Sequence, residues 1–281
     1  MTAPVVYANY GRPEDFAALA RAGLDVRGKL VLARYGECFR GLKVMNAQQR
    51  GAVGMLIFSD PADDGEAKGP VYPTGPWRPP SGVQRGSVQF NSLCAGDPSR
   101  AYLNRTSLNR SATFEACGYE EADLVPSIPV LPLSYADAYP LLNDMRDSTP
   151  APADFTGGLP LPAGYRLGPS EHPARLIVRN QEARRTPIWN VIGVIKGKDH
   201  GTELDRPVLL GNHRDAWVFG AVDPNSGTAA MLELARGLGA LLAMGWVPRR
   251  SLILCSWSGE EYGLLGSCLL YTSDAADEED S

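Results

Sequence analysis

Five cysteines, Cys38, Cys94, Cys117, Cys255 and Cys268, are scattered through 281 residues without a CxxC pair. That spacing suggests neither a thiolate zinc site nor a disulfide framework. Histidine is scarcer still, with three in the whole chain. No apolar run reaches the roughly 18–20 residues that span a bilayer, and the opening MTAPVVYANYGRPEDF has neither a basic start nor an apolar signal core, so no targeting segment shows. Positive charge is not in excess. The net charge is −5, five acids sit in the last eight residues, and the other 27 acids match 27 bases. This balance gives no electrostatic footprint for nucleic acid as a partner. GxSxG, GxGxxG and phosphate-loop patterns are missing too, which argues against serine-hydrolase and nucleotide-binding chemistry.

What is present is enough chain for two domains with buried cores. Residues 1–60 alternate strand and helix signals: PVVYANY, PEDFAALARAG, KLVLARYG, LKVMNAQQRGA and VGMLIFSD. That alternation predicts an α/β or α+β module. From Pro61 to about Ser127 Gly, Pro and polar residues predict long irregular connections. SIPVLPLSYADAYPLLNDM then reads as a strand and a helix, with Ser134 as N-cap and Asp137 three residues on. A Pro- and Gly-rich connector leads to ARLIVRN and PIWNVIGVIKG, both strand-like in β-branched content. His172 and His200 lie in polar loops without a spaced partner and are expected to face solvent. Cys255, inside LILCSW, is expected to be a core thiol.

The chemistry concentrates in two short segments. VLLGNHRD places Val208, Leu209 and Leu210 in a short buried strand, with His213 and Asp215 in the turn where it ends, their side chains leaving one face. Asp223 precedes Pro224, and NSGTAAMLELARGLGALL follows as a helix capped by Asn225 or Ser226, with Ala230, Leu234, Leu238 and Leu242 at helical spacing. A second apolar run, Ser251 to Trp257, ends in Ser258, Gly259, Glu260 and Glu261. Both strands should deliver these groups to the same edge of one sheet, where open α/β sheets hold their chemistry. Imidazole and carboxylates without thiolate suit zinc or a similar divalent ion, and an aspartate can bridge two ions. Adjacent glutamates point in different directions, so one can ligate while the other serves as general base.

HRDAWVFGAVDPNSG followed by PRRSLILCSWSGEEYGLLGS resembles the zinc-peptidase domain of the glutamate carboxypeptidase II family, the N-acetylated alpha-linked acidic dipeptidases or folate hydrolases, with transferrin receptors as non-enzymatic relatives. GKLVLARYGECFRGLKVMNAQQRGAVGMLIFSDPAD resembles that family's protease-associated (PA) domain. The resemblance implies an α/β fold in which a PA-like domain over residues 1–160, its start missing, joins the first half of a zinc-exopeptidase α/β/α sandwich over 161–267. CLLYTSDAADE, within 268–281, resembles a translated sequencing adapter. The implied roles are His213 and Glu261 on separate zinc ions, Asp223 bridging both, Glu260 as general acid/base and Asp215 fixing the His213 ring. Arg40, in the FRG triplet, would bind the substrate's terminal carboxylate. A cis peptide is implied at Asp223–Pro224.

The same resemblance implies two zinc ions whose remaining aspartate and histidine ligands lie past the chain end, so that the fragment by itself should hydrolyse little. It also implies a peptide or peptide-like substrate, a homodimer, and an extracytoplasmic setting for the parent. Ser87 stands where glutamate-specific members carry an asparagine, which leaves the P1′ preference open, and the threonine and tyrosine of their calcium site are missing. The rival expectations are a transferrin-receptor-like scaffold and an aminopeptidase of the same clan. Two N-x-S/T triplets, at Asn104 and Asn109, complete the motifs.

Overall fold

The computed structural model describes residues 1–97, 118–181 and 186–268. The triplets at Asn104 and Asn109, Cys117, and the adapter-like stretch beyond Cys268 lie outside the described residues. The chain divides into two compact units, Met1–Ser92 with Ala122–Glu182, and Leu93–Glu121 with Ala183–Ser281.

In the first unit β1 (Thr2–Ala3) pairs antiparallel with β6 (Ala174–Arg175), while β2 (Val5–Tyr7), β3 (Leu30–Arg34), β4 (Gly54–Phe58) and β5 (Val130–Leu133) form a four-stranded parallel sheet in that order. Every residue of β3 and β4 is buried, as expected of parallel strands covered on both faces. The crossovers are α1 (Pro13–Arg21) and α2 (Arg40–Gln49), and a short α3 (Pro61–Asp64) follows β4. Helix α1 starts where its sequence says it should: Pro13 opens it, Glu14 and Asp15 occupy the first turn, and Asp15 accepts the Arg12 N–H at 2.9 Å. Helix α2 lies so close to its neighbour that a Cβ on Gly41 would stand 2.4 Å from the Gln89 carbonyl oxygen. Lys43, on α2, is fully buried, and its ammonium donates to the carbonyls of Tyr10 and Gly36, both at 2.6 Å. Burial pulls its pKa down, against the pull of the nearby Cys38 sulfur. The Pro/Gly-rich connector is tied back by the buried Asp60, which accepts the Gly158 N–H at 2.7 Å and the Tyr165 hydroxyl.

Ser134 caps α4 (Tyr135–Asn143) as its sequence predicts, accepting the Asp137 N–H at 3.1 Å. ARLIVRN, by contrast, contributes a strand only at Ala174–Arg175. Cys94 is disulfide-bonded, against the expectation from spacing, whereas Cys38, Cys255 and Cys268 are thiols. His172 and His200 are both exposed, as expected, and each also meets a carboxylate: His172 lies 2.9 Å from Asp144 and His200 lies 3.3 Å from Asp205. Asp144 lies 28 residues before His172, a separation at which spacing carries no signal.

The second unit holds a three-stranded sheet in the order β7 (Val191–Ile195), β9 (Leu252–Trp257), β8 (Val208–His213). β7 runs antiparallel to β9, and β8 runs parallel to it, with α5 (Asn225–Ala243) between β8 and β9 in the chain. Cys255 is a core thiol, fully buried. The strand expected to be buried at 208–210 is not: Leu209 is 53% exposed, and on β7 Val191 is 61% exposed. Of the apolar series on α5 only Leu238 is buried, so a single narrow stripe packs and the flanks stay in solvent.

Candidate metal centre

β8 and β9 pair in register up to His213 and Trp257, so both chains leave the sheet at the same edge. A Cβ on Gly211 would stand 2.5 Å from the Trp257 indole nitrogen, and one on Gly227 would stand 2.1 Å from the Asn212 amide oxygen. Glycine at those two positions lets the strand end and the start of α5 close up. Asn212 Nδ2 also donates to Thr228 Oγ1 at 2.8 Å, tying β8 to the helix.

The loop between them carries His213, Asp215 and Asp223. His213 Nδ1 donates to the backbone carbonyl of Asp215 at 3.0 Å, which turns Nε2 toward the carboxylates. Nε2 lies 2.8 Å from Asp223 Oδ1 and 3.8 Å from Glu260 Oε2. The Asp215 carboxylate is 3.7 Å from the ring nitrogen and faces elsewhere, accepting the backbone N–H groups of Glu260 and Glu261, each at 3.1 Å. The Asp223–Pro224 bond is cis. Helix α5 begins one residue earlier than its capping residues suggest: Pro224 takes the N-cap position, the Asn225 amide donates to the Phe219 carbonyl, and Ser226 Oγ donates to the Val222 carbonyl.

After β9 the chain turns at Gly259, whose φ of 73° favours glycine, and presents Glu260 and Glu261. His213, Glu260 and Glu261 each offer a ligand atom, and the three atoms lie within 4.8 Å of one another. Ligands about 2.1 Å from one ion stand about 3.4 Å apart in a tetrahedron, so small side-chain rotations close the set around a cation. Burial raises the Glu261 pKa, the Trp217 N–H pulls it down, and the charges of Asp223 and Glu260 push it up again. The nearest cationic side chain in sequence, Arg214, is turned onto the carbonyls of Ser256 and Trp189. Four carboxylates with one imidazole among them therefore call for a cation, and oxygen with imidazole nitrogen is a donor set that fits zinc.

Arg40 belongs to the first unit, as the first residue of α2. Its guanidinium lies over the Phe39 ring and against Gly86, where a Cβ would fall 2.1 Å from its central carbon. Ser87 Oγ accepts the Gln89 N–H at 3.1 Å. Two contributors escape sequence reasoning. The Trp217 backbone N–H donates to Glu261 Oε1 at 3.3 Å, and Asn190 braces the 258–266 turn by accepting the Ser258 N–H and donating to the Gly266 carbonyl. A main-chain donor has no signature in sequence. A second group with ligand-type atoms, Asp144, Glu171 and His172, closes on itself: His172 donates to both Asp144 oxygens, and Arg146 holds Glu171.

Residues 1–89 match the PA domain and residues 190–280 match peptidase family M28. The chain is 46% identical over 277 residues to a protein of Arthroderma benhamiae named "Probable glutamate carboxypeptidase", covering 95% of this chain and 36% of that one. It is 41% identical to the "Glutamate carboxypeptidase 2 homolog" of Caenorhabditis elegans, over 95% of this chain and 34% of that one. It is 43% identical to "Aminopeptidase NAALADL1" of Mus musculus, over 94% and 35%. The chain thus spans about a third of the length of these relatives.

Proposed function

We propose, for a chain that joins a PA domain to a peptidase family M28 region and is related to the glutamate carboxypeptidases, that it supplies the metal-binding sheet edge and the general base of a zinc exopeptidase. The observation that carries this reading is the convergence of His213, Glu260 and Glu261 within 4.8 Å, just past two parallel strands. His213, Asp223 and Glu261 would hold zinc, two ions in the whole protein. When bound, zinc would polarise the scissile carbonyl and make a water molecule more acidic.

The chain's own residues do the rest. Asp215 fixes the backbone at Glu260 and Glu261, and its carbonyl orients His213 so that Nε2 faces the carboxylates. Glu260 takes a proton from the attacking water on a carboxylate oxygen and returns it to the leaving amine nitrogen. The substrate is a peptide or peptide-like amide. We assign a carboxypeptidase direction, with Arg40 as the partner of the substrate's terminal carboxylate, supported by the names of the fungal and nematode relatives. The name of the mouse relative favours the aminopeptidase direction instead.

Titrating the 281-residue chain with Zn²⁺ tests the metal reading: wild type should bind and His213→Ala should not, and equal binding by the two would overturn it. In a protein extended to the relatives' length, cleavage of an N-acylated dipeptide with a free carboxylate supports the first direction. Cleavage only of an amino-acid amide with a free amine supports the second.

A further inference from the structure

Trp217, in the 214–222 loop, touches both Glu261 and the residue that follows it. The Trp217 backbone N–H donates to Glu261 Oε1 at 3.3 Å, and the Trp217 ring packs on that of Tyr262, the next residue, with centroids 5.3 Å apart and planes at 49°. The indole nitrogen of Trp217 is buried without a partner. Packing on Tyr262, rather than a hydrogen bond of its own, therefore sets the ring's place. Immediately after it, Val218 holds a φ of 70°, a left-handed conformation that a β-branched residue rarely adopts. Such backbone persists where the surroundings over-determine it, and it gathers at functional sites.

We propose that Trp217 is a positioning residue for Glu261, fixing which carboxylate oxygen that glutamate offers to a cation. The inference rests on the metal-centre reading above. Held at Oε1 by the N–H, the Glu261 carboxylate is fixed in orientation where it offers a ligand atom within 4.8 Å of those of His213 and Glu260. With the ring removed, the loop loses its contact on Tyr262, the N–H drifts from Oε1, and the carboxylate must be ordered at the moment of binding. Partners of this kind around a metal ligand are worth about 10–100-fold in affinity.

The test is Co²⁺ binding to the 281-residue chain, followed by the visible d–d absorption of the bound ion alongside thermal unfolding. Trp217→Ala should weaken binding about tenfold and alter the Co²⁺ spectrum, while Trp217→Phe, which keeps a ring for Tyr262, should restore most of both. Tyr262 is 60% exposed, so Tyr262→Ala reports on the same contact if Trp217→Ala does not fold, and it should weaken binding in the same direction. A wild-type-like affinity and spectrum in the folded variants overturns the proposal, even if their unfolding temperature falls. If wild type itself binds no Co²⁺, the metal-centre reading falls and this inference with it; if wild type binds and the variants bind equally, only this inference falls.

Discussion

Asp215 and Glu261 are 46 residues apart in sequence, and the Asp215 carboxylate accepts the Glu261 backbone N–H at 3.1 Å while its other oxygen accepts that of Glu260 at the same distance. A carboxylate used this way fixes two consecutive peptide groups and so the directions in which two side chains leave them.

Asp215→Asn should therefore be more than a loss of charge. An amide has one acceptor oxygen, so one of the two N–H groups loses its partner. The expected outcome is a 10–100-fold loss of Zn²⁺ affinity with the secondary structure retained, measured by competition with a chromophoric chelator and by circular dichroism. Unchanged affinity would show that the 259–261 turn holds its shape unaided.

Glu260→Gln separates proton transfer from ligation. In a protein of the relatives' length, the variant should keep its zinc, counted by elemental analysis, while turnover falls by about 10²–10⁴-fold. Loss of zinc together with turnover would instead make Glu260 a ligand, a role its Oε2, 3.8 Å from His213 Nε2, could reach.

Lys43→Ala should destabilise the first unit by about 3 kcal/mol, because it leaves the carbonyls of Tyr10 and Gly36 without their buried donor and opens a cavity beside α2. Chemical denaturation with a probe in that unit reads the change. A Lys43→Met variant fills the cavity without supplying the donor, so it should recover only part of the loss.

His172 should titrate above its ordinary range, because the hydrogen bond it donates to Asp144 and then the charge of Asp144 favour the protonated ring. The folded-state value is raised, so the contribution to stability is fully present below the unfolded pKa of about 6.5 and is lost as pH rises through the raised folded value. A ¹H–¹⁵N titration of the imidazole checks this, and Asp144→Asn should lower the midpoint.

Much of the centre could be read from residues alone, since a polar cluster at the end of each apolar run fixes where a parallel sheet must carry its chemistry. His213 and Glu260 obey that logic. What could not be read is whatever depends on the main chain or on distant partners. The Trp217 N–H and the two N–H groups on Asp215 belong to no residue type, and the helix after Asp223 starts at Pro224 geometry that capping preferences do not foresee. Leu209 reads as core because aliphatic runs usually are, but periodicity cannot say whether anything covers a face. The disulfide at Cys94 and the partners of His172 and His200 escaped for the same reason: each is a contact that spacing does not encode.

The backbone passes from one compact unit to the other three times, after Ser92, after Glu121 and after Glu182. Neither body is a contiguous stretch of gene. Truncation after Ser92 or after Glu121 divides the first unit, and truncation after Glu182 takes residues 93–121 away from the second. Dissecting this protein therefore calls for pieces in which residues 93–121 travel with 183–281, so that each body keeps all of its own chain.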